Sequence, residues 1–293
     1  MHLGEALAAL LLGIALIRLL FTARSLHVRM LQLLRQGSKK DADPAALERL
    51  ADFTPPPGET REQTRDRYLR AHGTPAAAAA KLEATIAWRR SHHVDELRAK
   101  PGVEALGCDV IHLQRVLPHA LPGTRSKRGL PLIFKHFGGQ CALKRALEHT
   151  TVDHLYTYNT WLNEQYTNAL AEAGVSQWVV VIDAAGWNPG LVDSTAIAWL
   201  KNMADTDKEH YPERLGAIVV VNAPWLLAGL WRIIQTWLDE PTKQKVAIIS
   251  EKAPEQARAR LREIADDAAL PAQYGGTGAP LENWPERSGV PRE

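Results

Sequence analysis

His210–Ile249 reads HYPERLGAIVVVNAPWLLAGLWRIIQTWLDEPTKQKVAII, and how this stretch packs decides the fold around it. Ala217–Val221 is continuously apolar and rich in β-branched residues, the pattern of a strand buried on both faces of a parallel sheet. Pro224 cannot continue a ladder and presets the backbone for a helix start. The segment Trp225–Leu238 then predicts a helix with almost no polar side. Trp225, Leu226, Leu227, Leu230, Trp231, Ile233, Ile234, Trp237 and Leu238 are apolar, while Arg232, Gln235 and Thr236 share one narrow stripe. A surface helix gives about half its circumference to polar residues. This helix is therefore hidden in a core or lies against something oily that is not protein. Asp239 and Pro241 end it, and Lys245–Ile249 starts the next apolar strand.

Outward from this stretch, strands and helices alternate. Leu130–Phe137 and Trp178–Asp183 (WVVVID) read as buried strands, and Thr151–Ala173 and Thr195–Thr206 as helices. Alternation of this kind indicates an α/β sheet with crossover connections. Upstream, Pro55-Pro56-Pro57-Gly58 marks a boundary. Two helices follow it. Glu59–Ala71 is charged and reads as solvated over most of its surface, while Thr74-Pro75 supplies an N-cap and a first-turn proline for a helix reaching Arg90.

The 293 residues suffice for one main domain with a sizeable core, and a net charge of +2 lacks the footprint of a nucleic-acid binder. Cys108 and Cys141 fit neither a metal site nor a disulfide framework, as in a reducing compartment. Nine tryptophans outnumber the six tyrosines and the four phenylalanines. Tryptophan favours places where one end is apolar and the other wet.

Met1–Lys40 reads differently. From Ala6 to Lys40 there is no acid, while Arg18, Arg24, Arg29, Arg35, Lys39 and Lys40 are basic. The apolar run Ala6–Ile17 is short of the about 20 residues that span a bilayer, and Arg18 interrupts its extension. A secretory signal is disfavoured, because MHLGE has no basic side chain before the apolar run. Ser25–Arg35 reads as an amphipathic helix able to lie in an anionic surface. A membrane anchor, an organelle transit peptide and a helix packed on the domain all remain open.

Catalytic signatures are poor. No G-x-S-x-G elbow, phosphate loop or dinucleotide fingerprint is present. The histidines, including His92, His93, His112, His119, His136, His149 and His154, form no metal set and read as surface or loop residues. Asp183, ending a buried strand without a nucleophile or base partner, reads as a capping residue. Gly275–Gly278 reads as a C-terminal turn. An α/β lipid hydrolase or transferase therefore lacks its nucleophile. A membrane-tethered interaction module using the leader is a further alternative.

YPERLG, VNAP, the Trp/Leu-rich helix, LDEPTKQK and LPAQYGG together closely resemble the CRAL-TRIO lipid-binding family, and within it the phosphatidylinositol transfer proteins of the Sec-fourteen type. RYLRAHG, AWRR, PLIFKHFGG and WVVVIDAAGW add to the resemblance, which runs from about Thr64 to Gly276 and leaves the leader outside. It implies an α/β CRAL-TRIO fold: a mixed, largely parallel sheet floor, helices and a mobile gate helix, behind a small N-terminal helical module. The corresponding organisation is a leader (1–58), the helical module (59–95), the lipid-binding domain (96–280) and a tail (281–293).

The resemblance also implies a non-enzymatic carrier, a cytoplasmic monomer acting peripherally at a membrane surface. It would bind phosphatidylinositol and a second hydrophobic ligand, with no metal, no nucleic acid and no cofactor beyond the lipid. Matched by motif, Glu213, Arg214, Thr242 and Lys245 would hold the head group. Trp225, Leu227, Leu230, Trp231, Ile234, Trp237 and Leu238 would form the gate, with Trp178 and Val180 in the acyl pocket. Relatives carry a basic side chain where His72 follows Arg70-Ala71, so this phosphate contact is weakened. Phosphatidylcholine binders carry a serine and a threonine where Trp178 and Val180 stand here, so phosphatidylcholine is not the expected second ligand. Carriers of a sterol, tocopherol or retinoid are the alternative within the family.

Overall fold

The computed structural model describes residues 46–48, 50, 53–138 and 143–281. The expectations for Met1–Lys40 lie outside the described residues. Among those described, no helix is long and apolar enough to cross a membrane.

Two helices open the fold, α1 (Arg61–His72) and α2 (Pro75–Ser91). Thr60 caps α1 reciprocally: its hydroxyl accepts from Gln63 N at 3.1 Å and Gln63 Oε1 accepts from Thr60 N at 2.8 Å. Thr74 caps α2 as its sequence predicts, accepting from Ala77 N at 3.3 Å. Leu47 and Phe53 pack with Tyr68, Ala78 and Leu82, so the packed part of the chain begins before the proline run. Helix α1 is less solvated than its charge suggests. Thr64, Arg67 and Tyr68 are buried, because Arg67 has an internal carboxylate partner in Glu59.

Short helices α3 (Val94–Ala99), α4 (Gly102–Leu106) and α5 (Val110–Val116) lead to strand β1 (His119–Ala120). Then follow β2 (Leu132–His136), α6 (Leu143–Ala146), α7 (Val152–Ala173), β3 (Trp178–Asp183) and α8 (Ser194–His210). The chain closes with β4 (Leu215–Ala223), α9 (Leu227–Ile234), α10 (Glu240–Gln244), β5 (Val246–Ser250) and α11 (Pro254–Ile264). The five strands lie in the order β1-β2-β3-β4-β5, with β1 antiparallel to β2 and the others parallel. This is the mixed, largely parallel sheet that the resemblance implies, with the crossover connections expected from the alternation.

Side chains alternate across a strand, and here the alternation separates two environments. Leu132, Phe134, Val179, Val181, Val219 and Val221 pack on one face against Ala257 and Leu261 of α11, with Leu270 and Tyr274 beyond. Trp178, Val180, Ile182, Ile218, Val220 and Ile248 face the other way and floor a cavity. The continuously apolar strands are covered on both faces as expected, but on one face by a cavity wall. Helix α8 runs past the expected end at Thr206 to His210. No glycine or proline interrupts it there, and Lys208 suits its C-terminal dipole.

Two buried carboxylates tie the helical module to the rest. Glu59 accepts from Arg67 at 3.1 Å and from Arg214 at 2.7 Å. Glu164 of α7 accepts two bonds from Arg89 of α2, at 2.9 and 3.0 Å, and one from the Tyr211 hydroxyl at 2.8 Å. The Trp88 ring stacks on His210 at 3.9 Å. Burial holds the His210 imidazole down at about 4, so it is neutral near pH 7.

Candidate functional site

The cavity measures about 510 Å³, or about 2440 Å³ of empty space counted out through its mouth. The sheet forms its floor, α8 one wall and α9 its cover. Leu227, Leu230, Trp231, Ile234 and Leu238 all line it, spaced along one helical face.

The helix itself is shorter than Trp225–Leu238. At its start Leu227 N bonds Pro224 O at 2.9 Å and Gly229 N bonds Leu226 O at 3.1 Å, so Trp225 and Leu226 form a turn. At its end Thr236 N and Trp237 N reach only back to Ile233 O and Ile234 O, tightening the last turn. None of its residues is fully buried. The inner face borders the cavity. The outer face carries Leu226 and Ile233 exposed, with Trp225 at 76 % exposure beside them. The helix is apolar toward the cavity, where Leu227 and Leu230 pack beside Trp187 and Val220, and it leaves Ile233 exposed on its outer side next to Arg232.

Trp225 and Trp237, expected in the gate lining, are not in the wall. Trp225 sits in the turn ahead of the helix, and Lys201 Nζ lies over the Trp237 ring at 5.9 Å. Trp178 and Val180 do line the cavity, from alternate positions of β3.

The expected head-group residues share one cavity wall. Glu213, Thr242, Lys245, Arg214 and His72 all line the same cavity, together with Arg70 and Lys208, which the motif comparison did not mark. Glu213 adopts a left-handed backbone, φ 58°, uncommon for a residue with a side chain and found where a site imposes it. Its carboxylate faces Lys245 Nζ at 3.8 Å, with both side chains partly exposed. Asp239 caps α10 by accepting from Thr242 N at 2.8 Å, which fixes the turn carrying Thr242 and Lys245.

Arg214 is occupied elsewhere. Its side chain is 3 % exposed, bonded to Glu59 and to Ser176 O at 3.3 Å. Burial and the neighbouring Arg67 charge pull its pKa down to about 10 against the pull of Glu59. Its geometry is that of a strut behind Glu213. Among the described residues His72 Nε2 has no hydrogen-bond partner, and burial and the charge of Lys81 lower its pKa.

Asp183 has the capping role expected of it, accepting from Ala185 N at 3.0 Å and Asn222 Nδ2 at 2.9 Å. Gly276 sits in the expected turn, where a Cβ would meet Leu270 O at 2.0 Å. Two histidines depart from the surface reading. His136 is buried in β2, and His119 is held at about 4 by burial and by the charge of Lys135. A lone histidine in an otherwise apolar strand gives no sequence signal to separate these cases.

The CRAL/TRIO domain model matches residues 121–276. A CRAL-TRIO domain-containing protein of Caenorhabditis elegans is 26% identical over 227 residues, 72% of this chain and 29% of that protein. The phosphatidylinositol/phosphatidylcholine transfer protein SFH7 of Arabidopsis thaliana is 25% identical, over 72% of this chain and 38% of its own length. The Sec-fourteen cytosolic factor of Schizosaccharomyces pombe is 26% identical over 47% of this chain and 49% of its own. This chain thus spans less than half the length of each of these relatives. In fold it is similar to the crystal structure of Sfh5, with a TM-score of 0.55, 19% identity and coverage of 73% and 70% of the two chains. With the matched region holding strands β2 to β5, the cavity floor and the cover helix, the chain belongs to the CRAL/TRIO domain family, whose members bind and transfer lipids and are not enzymes.

Proposed function

We propose that this chain captures phosphatidylinositol, carries it in the cavity and exchanges it at membrane surfaces. The carrying observation is that the motif-matched polar residues and the apolar inner face of α9 border one cavity. In this reading Lys245 donates to the phosphodiester, Glu213 accepts from inositol hydroxyls, and Thr242 and His72 flank them. Arg214 holds the turn from behind. The acyl chains lie along Trp178, Val180 and the inner face of α9, where each methylene kept from water is worth about 0.8 kcal/mol. The exposed Trp225, Leu226 and Ile233 meet the bilayer when α9 swings outward. The protein acts as a monomer, peripherally, on the cytoplasmic side.

Transfer between vesicles tests the reading. Labelled phosphatidylinositol is expected to move at a rate well above background and labelled phosphatidylcholine is not, since Trp178 and Val180 offer no hydroxyl to the choline lipid. Equal transfer of both would contradict the proposed selectivity. A carrier of a sterol, tocopherol or retinoid would instead capture its ligand independently of Lys245.

A further inference from the structure

The cavity holds a charge that the head-group region does not use. In β2 the alternation sends Leu132 and Phe134 into the core beside α11 and leaves Lys135 on the cavity face. Lys135 borders both the main cavity and a recess of about 40 Å³ behind it, walled by His119, Tyr158, Asn159 and Trp199. Among the described residues, neither a carboxylate nor another hydrogen-bond acceptor reaches Lys135 Nζ. Its printed neighbours are the Tyr166 ring at 5.7 Å and, at longer range, Asp207.

Three further donors on this wall lack acceptors. Among the described residues the Tyr166 hydroxyl, Trp199 Nε1 and Asn159 Nδ2 have no hydrogen-bond partner, and these residues are 3 %, 8 % and 5 % exposed. Asp207, the carboxylate on this wall, already accepts from Asn163 Nδ2 at 2.7 Å. It is accessible from the cavity, yet protein encloses it closely enough that burial raises its pKa. Burial likewise lowers the pKa of Lys135. An unsatisfied buried donor is costly, and an isolated buried cation more so. A wall with this excess of donors is completed by a ligand that brings acceptors.

We infer that Lys135, Tyr166 and Trp199 form an inner polar subsite for a single-chain amphiphile ending in a carboxylate, a long-chain fatty acid bound carboxylate-first with its tail toward α9. The size of the recess argues for this class. At about 40 Å³ against about 510 Å³ for the main cavity, the recess suits a compact carboxylate better than a phosphocholine. The anion pairs with Lys135, takes the Tyr166 and Trp199 protons as hydrogen bonds, and leaves Asp207 with Asn163. This inference rests on the cavity being a lipid site and not on phosphatidylinositol being its lipid.

Binding of oleate, methyl oleate and oleyl alcohol to the delipidated full chain tests it. Oleate is expected to bind one per chain, about tenfold or more tighter than its ester or alcohol, the worth of a charged buried hydrogen bond. Lys135→Met keeps the volume and removes the charge; it should erase that preference while phosphatidylinositol capture persists. If Lys135→Met fails to fold, Tyr166→Phe, which removes one hydroxyl, must still reduce the preference several-fold. Equal binding of oleate and its ester by the wild type, or an undiminished preference in a folded variant, would overturn the inference. Failure of the wild type to capture phosphatidylinositol, with its oleate preference intact, would instead sink the head-group reading alone.

Discussion

Replacing Glu59 with alanine is expected to destabilise the protein by about 3–5 kcal/mol, the cost of removing one partner from a buried ion pair. Its carboxylate sits between the guanidiniums of Arg67 and Arg214, each 3 % exposed on its side chain. Without Glu59 two like charges face each other away from water. Such a loss is a large share of a typical domain's about 5–15 kcal/mol, and urea denaturation of purified protein would measure it. Adding Arg214→Met to Glu59→Ala should recover part of the loss, because one stranded charge goes. A loss below about 1 kcal/mol would show that the network is not the joint described here.

The same carboxylate makes the joint acid-sensitive. Burial raises the pKa of Glu59, but Arg67, Arg214 and the hydrogen bonds from Arg67 and Thr64 together lower it further, leaving it below its ordinary 4.5. A folded pKa below the unfolded one means its stabilisation is full above pH 4.5 and is lost as pH falls through the folded value. The gap between wild type and Glu59→Gln should therefore narrow on acidification across that window.

The second large effect concerns ligand capture. Lys245→Ala is expected to weaken phosphatidylinositol capture by about ten- to a hundredfold, the worth of roughly 1.5–3 kcal/mol for a hydrogen bond to a charged group. Stability should hardly change. Lys245 is 24 % and Glu213 32 % exposed, and a half-open pair at 3.8 Å contributes little to folding. The backbone of Lys245, whose carbonyl accepts from Ile218 N at 2.8 Å, is untouched by the substitution. Capture lost with an unchanged unfolding curve would mark Lys245 as a ligand contact. Capture retained would favour a hydrophobe without a phosphate.

The sequence and the structure agree most where local pattern governs. The strand Trp178–Asp183, the centre of β4 at Ala217–Val221, the cap Thr74 and the capping Asp183 follow from residue types a few positions apart. The apolar character of Trp225–Leu238 is equally plain, but its consequence was not. Periodicity cannot distinguish a face packed on protein from one packed on empty space, so the cavity had to be implied by the resemblance. The ends of α9 were misplaced because i→i+3 turns flank it, and turns of that kind leave no apolar period.

The joints were not legible. Glu59 and Arg214 lie 155 residues apart, and Arg89 and Glu164 75 apart, and no local spacing announces either pair. Arg214 read as a ligand donor because it matches the base of the Y-P-E-R motif beside Glu213. Both residues border the cavity, but the Arg214 guanidinium is engaged by Glu59 and the Glu213 carboxylate faces Lys245. Lys135 was visible as a charge inside PLIFKHFGG, but only the sheet register shows that it faces the cavity.

The identity of the cavity's lipid is the central claim, and mass spectrometry tests it most directly. Delipidated full chain would be incubated with vesicles containing phosphatidylinositol, phosphatidylcholine and sterol in equal amounts, repurified, and its bound lipid extracted and weighed. The account predicts phosphatidylinositol at about one per chain in the wild type and its loss from Lys245→Ala. Recovery of phosphatidylcholine or sterol at that ratio, with phosphatidylinositol absent from both proteins, would contradict it.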